Sequence, residues 1–165
     1  MRHHGREPMK ITDKASEQRA PENDRRRGTR EALTRMVQER TQVLSLYWRL
    51  AGIDSFSDPE QREPLQKLLQ EFCQLLVDYI AAGHFCLYER IVNGTERRRE
   101  VAALAHELYP RIADTTSVAL DFNDKYDGTK PVDFEGEFKR DLSRLGEELA
   151  VRIDLEDKLI ARMLQ

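Results

Sequence analysis

The side chains best suited to chemistry are two cysteines, four histidines and Glu156, a carboxylate set within an apolar stretch. A carboxylate-bridged di-iron bundle needs Glu-x-x-His on two helices, because positions i and i+3 put both ligands on one face. Here the residues three positions before His84 and His106 are alanines. The sequence also has no phosphate-binding glycine loop, no G-x-S-x-G elbow and no C-x-x-C pair. We therefore predict that the protein is not an enzyme and uses no metal or cofactor.

Glu156 falls between Ile153 and Ile160 on an apolar helical stripe, where an unpaired charge would be costly. Its candidate partners elsewhere in the sequence are His84, Tyr88, Glu89 and Arg90. We predict a structural polar network that fixes the register of the helices. An alternative function stays open, a small-molecule-responsive helical signalling module with a polar pocket around His84, Glu89 and Glu156.

Residues 72–91, with the helix that leads into them from Leu65, are the stretch around which the remaining elements are organised. Apolar residues recur at three- and four-residue steps, which predicts an amphipathic helix. Its stripe consists of Leu65, Leu68, Leu69, Phe72, Leu76, Tyr79 and Ile80. The opposite face carries Asp78, Ala81 and Phe85, a combination of charge, small residue and aromatic anchor that is typical of a protein-binding site. Gly83 makes it easy for the helix to end or bend, and if the chain stays helical beyond it, Phe85 lies on the solvent side.

Periodicity elsewhere predicts an all-α fold, an up-and-down four-helix-type bundle with additional short helices. The first helix is expected from Thr29 to Gly52. Its buried stripe is predicted to contain Leu33, Met36, Val37, Arg40, Leu44, Tyr47, Trp48 and Ala51. A break at Gly83 is expected to be followed by a short helix over 85–92 and a turn at Asn93-Gly94.

Two further helical segments complete the predicted bundle. One starts near Glu96, and Pro110 is expected to kink or divide it, because proline removes a helical hydrogen bond. The last helix is expected from Asp133 towards Leu164. Within it, Glu148-Arg152 and Asp154-Lys158 have the i, i+4 spacing of surface ion pairs.

Charge divides the chain into a predicted disordered arm, residues 1–28, and a bundle domain, residues 29–165. Residues 1–30 hold nine Lys/Arg against five Asp/Glu, a net charge of +4. Since the whole chain has a net charge of −3, residues 31–165 carry −7. An acidic body suits a basic protein partner better than nucleic acid. The sequence has no apolar run of about 20 residues and no signal peptide, and Cys73 and Cys86 are unpatterned. We expect a cytoplasmic protein without membrane or direct nucleic-acid binding, and a monomer or weak dimer.

The segment VDYIAAGHFCLYERI, preceded by Phe72-Cys73 and followed near the end by DLEDKLI, resembles the regulator of sigma D family, of Rsd/AlgQ type. The resemblance covers residue 31 to the end of the chain, and its VDY-x-x-AGHF-x-x-YER block is specific. Proteins of this family are bacterial anti-sigma factors.

The resemblance implies that this protein binds region 4 of the primary, sigma-70-type sigma factor of RNA polymerase. Region 4 is a basic helix-turn-helix that contacts the −35 promoter element and core polymerase, and binding would block one or both contacts. Asp78 would then pair with a sigma arginine and Phe85 would be the apolar anchor. Ala81 would be a point of close approach, where some relatives have serine.

Overall fold

The computed structural model describes residues 14–53, 58–89, 98–128 and 130–165, with side chains for residue 24 and from residue 26 onward. These described residues form four α-helices and no strand. The helices are α1 (Lys14–Ala51), α2 (Arg62–Gly83), α3 (Arg99–Tyr126) and α4 (Phe138–Met163). A 3₁₀ turn, Pro59–Gln61, precedes α2, and a π-helical turn, His84–Tyr88, follows it without interruption.

The four helices form an up-and-down bundle in which each helix packs beside the next, and α4 returns to α1. Tyr47 on α1 approaches Phe72 on α2, with ring centroids 6.3 Å apart, and its hydroxyl donates to the Leu142 carbonyl oxygen on α4, 3.1 Å away. Among the described residues, no helix combines the length and apolar composition that crossing a membrane requires. The predicted all-α bundle is confirmed.

The apolar face of α2 forms the centre of the core. Its buried residues are Leu65, Leu69, Phe72, Cys73, Leu76, Tyr79, Ile80 and Gly83. Aromatic rings extend this core across the bundle, since Phe122 on α3 packs edge-on against Phe72 and tilted against Phe138 on α4. Such contacts add to the free energy that burial of apolar area provides. The stripe predicted for α2 is thereby confirmed, with Leu68 half-buried at its edge.

Helix α1 differs from the prediction in both its start and its buried face. It begins at Lys14 rather than at Thr29, since a helix held by packing further along can propagate with one new hydrogen bond for each added residue. The buried residues of α1 are Leu33, Met36, Val43, Leu46 and Leu50. Leu33 and Met36 are buried as predicted. Leu44 is only half-buried and Trp48 is 68 % exposed, so from Val43 onward the true stripe lies about one residue before the predicted one.

Residues 1–13 and the predicted Asn93-Gly94 turn lie outside the described residues. The division of the chain into an arm and a bundle domain stays a prediction.

In the described residues the chain is not divided at Gly83 or at Pro110. Gly83 has φ of −60°, and the backbone continues helically through it to Glu89. Helix α3 passes through Pro110 as one element. Pro110 has no N–H to donate to the carbonyl of His106, four residues earlier. Both residues are exposed, so water can donate to that carbonyl instead. Helix α4 begins at Phe138 rather than Asp133, because residues 134–137 form turns.

Candidate functional site

An exposed stripe on α2 and the π-helical turn contains Asp78, Ala81 and Phe85, and we call it the α2 stripe. Phe85 is 65 % exposed, and its ring packs edge-on against the ring of His84, 5.5 Å between centroids. Gln74, one turn earlier, donates from Nε2 to Oδ1 of Asp78 over 3.1 Å. A carboxylate and a large apolar ring therefore face solvent together on one continuous surface.

The π-helical turn explains why Phe85 faces solvent. The N–H of Glu89 donates to the carbonyl of His84, five residues earlier, which is the spacing of a π-helix. Because the chain stays helical past Gly83, Phe85 follows Asp78 by seven residues and lies on the same face. The wide turn meanwhile places Cys86, Leu87 and Tyr88 in the core.

A second carboxylate, Glu39 on α1, adds negative charge near Asp78. Burial raises the pKa of Glu39, the nearby Asp78 carboxylate raises it further, and Arg35 partly opposes both. Oε2 of Glu39 is buried and has no hydrogen-bond partner within the described part of the chain. The negative charge near Asp78 favours the approach of a cation, such as a guanidinium, to the exposed Asp78 carboxylate. Nothing in the sequence pattern indicated Glu39, because its closeness to Asp78 depends on how α1 and α2 pack.

Beneath this surface lies a buried polar cluster centred on Glu156 and Arg152, whose side chains are 0 % and 1 % exposed. Glu156 accepts hydrogen bonds from Nε of Arg152, 3.0 Å away, and from the hydroxyl of Tyr79. Nη1 of Arg152 donates to the hydroxyls of Thr115, at 3.2 Å, and Thr116, at 2.7 Å. The cluster thus joins α2, α3 and α4.

Aromatic rings enclose the Arg152 guanidinium. Its Cζ lies 5.5 Å from the centroid of the Tyr79 ring and 5.9 Å from that of the Tyr88 ring, within cation–π range. Burial raises the pKa of Glu156, and Arg152 and the Tyr79 hydroxyl lower it in part. The Tyr88 hydroxyl and Oε2 of Glu156 are buried without a hydrogen-bond partner among the described residues. The arrangement stabilises a particular packing of helices and leaves Glu156 inaccessible to a substrate.

The predicted network of His84, Tyr88, Glu89, Arg90 and Glu156 is only partly assembled. Tyr88 and Glu156 are buried and both lie next to Arg152, whereas His84 and Glu89 are exposed; Arg90 lies outside the described residues. Since Glu156 is fully buried and two proposed neighbours face solvent, these three residues do not line a shared accessible pocket.

Arg152 is the residue that sequence reasoning missed. It was expected to form a surface pair with Glu148, which instead pairs with Arg111 on α3, 2.8 Å apart. The signal was present, because Leu149, Arg152, Glu156 and Leu159 follow one another at three- and four-residue steps. The other predicted pair, Asp154 with Lys158, is confirmed at 3.2 Å.

The described residues hold no group of three or more His, Cys, Asp or Glu side chains that could bind a metal ion. Cys73 and Cys86 are both buried free thiols. Burial raises the pKa of Cys73 to about 12, and its thiol donates to the Tyr126 carbonyl oxygen. A protonated, buried thiol is a poor nucleophile.

Comparison with known proteins assigns the chain to a family. A family model described as "Regulator of RNA polymerase sigma(70) subunit, Rsd/AlgQ" matches residues 16–164. The chain belongs to the Rsd/AlgQ family. The resemblance carried by the VDYIAAGHF segment is thereby confirmed, and the protein belongs to a family of transcription regulators.

Curated relatives of the Rsd/AlgQ family extend over most of the chain. Proteins called "Regulator of sigma D" from Shigella boydii serotype 4 (strain Sb227), Shigella dysenteriae serotype 1 (strain Sd197) and Escherichia coli (strain K12 / DH10B) are each 36 % identical to it. Each match spans 143 residues, which is 86 % of this chain and 89 % of the relative. The buried cluster and the α2 stripe both lie inside the segment matched by the Rsd/AlgQ family model.

Proposed function

We propose that this protein is an anti-sigma factor that binds region 4 of the primary, sigma-70-type sigma factor through the α2 stripe. Binding blocks the contact of region 4 with core RNA polymerase, with the −35 promoter element, or with both. Membership of a family of sigma(70) regulators supports a sigma factor as the partner. The main support for this binding site is the large aromatic ring of Phe85, which is exposed on the same helical face as the Asp78 carboxylate.

Phe85 can supply a substantial part of the binding free energy. A phenylalanine side chain presents roughly 200 Å², so burial of the 65 % that is exposed removes about 130 Å² from water. At about 25 cal/mol per Å², this burial contributes an upper value of about 3 kcal/mol. Partner ordering and imperfect packing reduce that value, and we expect Phe85→Ala to weaken binding by about 1–3 kcal/mol.

Charge supports the same partner. Residues 31–165 carry a net charge of −7, which steers an Arg/Lys-rich domain towards the bundle and accelerates encounter more than it strengthens the final complex. At the α2 stripe, Asp78 has one oxygen bonded by Gln74 and a second available to an arginine of sigma. Ala81, one turn before Phe85, lets the partner backbone or side chains approach closely.

The test is to measure the affinity of region 4 for Phe85→Ala, Asp78→Asn and a matched control, Trp48→Ala. Trp48 on α1 is 68 % exposed, close to the value for Phe85, so it controls for the loss of any exposed aromatic ring. We expect both α2-stripe variants to bind more weakly and Trp48→Ala to bind like wild type. Wild-type affinity in folded Phe85→Ala and Asp78→Asn would refute the site. Loss of binding only in Trp48→Ala would assign the site to α1.

A further inference from the structure

Gly83 lies directly against the buried guanidinium of Arg152. A Cβ atom built on Gly83 would be 3.0 Å from Nη2 of Arg152, 3.8 Å from Sδ of Met36 and 3.9 Å from Cε2 of Tyr88. The first distance is tighter than most real contacts of a Cβ atom. Because φ of Gly83 is −60°, any residue could adopt this backbone conformation. A larger residue here is therefore disfavoured by the space that Arg152 occupies, and not by the backbone conformation.

Arg152 contacts both flanks of the segment that presents Phe85. Tyr79 precedes Gly83 by four residues, Tyr88 closes the π-helical turn, and the guanidinium lies near the rings of both. The guanidinium is itself held from other helices by Glu156 on α4 and by Thr115 and Thr116 on α3. The segment that presents the α2 stripe thus packs on the Arg152 guanidinium, and residues of α3 and α4 determine the position of that guanidinium.

We propose that Arg152 is a positioning residue for the sigma-binding surface, and that its contact with Gly83 sets the path of the π-helical turn and the placement of Phe85. The role of this surface rests on the proposed function. A π-helical turn is rare and persists where its surroundings determine it. Displacement of the turn moves the apolar anchor relative to Asp78, so the buried cluster controls affinity without touching the partner.

The experiment compares Gly83→Ala with Gly28→Ala. Gly28 is also helical, in α1, and a Cβ atom there would meet nothing within 4 Å. Both changes improve intrinsic helix propensity by a similar amount, so a difference between them reports the surroundings of Gly83, in which Arg152 makes the one tight contact. We expect Gly28→Ala to bind region 4 like wild type, and Gly83→Ala to bind about tenfold more weakly while remaining folded by circular dichroism and urea titration.

A double-mutant cycle separates positioning from a general loss of stability. Phe85→Ala is made in wild type and in Gly83→Ala, and the two losses of affinity are compared. We expect a smaller loss in the Gly83→Ala background, because the ring is already displaced. Wild-type affinity of Gly83→Ala, or equal losses in the two backgrounds, would overturn the proposal.

A measurement that needs no partner distinguishes failure of this inference from failure of the proposed function. The protein is labelled with fluorophenylalanine, and the ¹⁹F signal of residue 85 is identified by its absence in Phe85→Ala. That signal should shift in Gly83→Ala and stay unchanged in Gly28→Ala. Should Gly83→Ala fail to fold, Thr116→Val removes the 2.7 Å bond to Arg152 from α3, and the same signal should shift. An unchanged ¹⁹F signal of residue 85 in folded Gly83→Ala or Thr116→Val would overturn the positioning role of Arg152. If the signal shifts but wild-type protein does not bind region 4, only the proposed function is overturned.

Discussion

Two buried tyrosines on the same helical segment should respond oppositely to loss of their hydroxyls. Tyr79 and Tyr88 both lie in the core, and both rings lie near the Arg152 guanidinium. The Tyr79 hydroxyl donates to Glu156, whereas the Tyr88 hydroxyl has no hydrogen-bond partner among the described residues. Substitution by phenylalanine keeps each ring and its cation–π contact and removes only one oxygen.

The expected magnitudes follow from these bonds. A hydrogen bond to a charged group contributes about 1.5–3 kcal/mol, so Tyr79→Phe should lower the free energy of unfolding by about 2 kcal/mol. A buried hydroxyl without a partner costs about 1–3 kcal/mol in lost hydration, so Tyr88→Phe should raise the free energy of unfolding by about 1 kcal/mol. In a chain of this size, each kcal/mol corresponds to about 2–4 °C in Tm.

The assay is urea denaturation of wild type and both variants, followed by circular dichroism at one pH and protein concentration. Equal m-values would show that the variants differ in stability and not in the surface exposed on unfolding. Destabilisation of both variants to the same extent would contradict this prediction, because the Tyr88 hydroxyl would then have a bonded partner. An unchanged Tyr79→Phe would likewise contradict the bond to Glu156.

Two further predictions concern a thiol and a carboxylate. Burial raises the pKa of Cys73 to about 12, so Cys73 should resist iodoacetamide in the native protein at pH 7.5 and react with it in urea. Mass spectrometry follows the modification. Modification of the native protein at the rate of an unfolded peptide would contradict this prediction. Burial alone would raise the pKa of Asp141, but hydrogen bonds from Lys125 and Tyr126 lower it overall. A lowered carboxylate pKa gives stability that is present above the unfolded pKa of about 4 and lost as pH falls through the folded pKa. Asp141→Asn should therefore reduce the free energy of unfolding at pH 7 by about 1 kcal/mol and make that free energy less dependent on pH in the acid range. Urea titrations between pH 7 and pH 3 measure this. The same pH dependence in the variant and in wild type would contradict the lowered pKa of Asp141.

The sequence predicted α2 best because its periodic pattern is unambiguous. Its polar residues Lys67, Glu71, Gln74 and Asp78 also recur at three- and four-residue steps, which marks the face opposite the apolar stripe as exposed. Asp78, Ala81 and Phe85 lie on that exposed face as expected. Helix α1 was harder, since apolar residues stand side by side at Val43-Leu44 and again from Leu46 to Trp48. Two stripes one residue apart then fit equally well, and only the packing partner selects between them.

The buried cluster could not be predicted from the pattern of any one helix. Arg152 falls on the apolar stripe of α4, but its burial as a charged group depends on partners from three helices, namely Thr115, Thr116, Tyr79 and Glu156. Their convergence is a property of the assembled bundle. The same cause misdirected the interpretation of Gly83. A glycine near a helix end usually ends the helix, whereas this one makes room for a guanidinium supplied from more than 60 positions further along the chain.

Calorimetric titration of purified region 4 into the full chain measures directly whether this protein binds region 4 of the primary sigma factor. We predict saturable one-to-one binding that weakens as salt is raised, because carboxylates of the bundle pair with basic side chains of sigma. Phe85→Ala in parallel should bind more weakly by about 1–3 kcal/mol. Absence of saturable binding to wild-type protein at both low and moderate salt would contradict the claim.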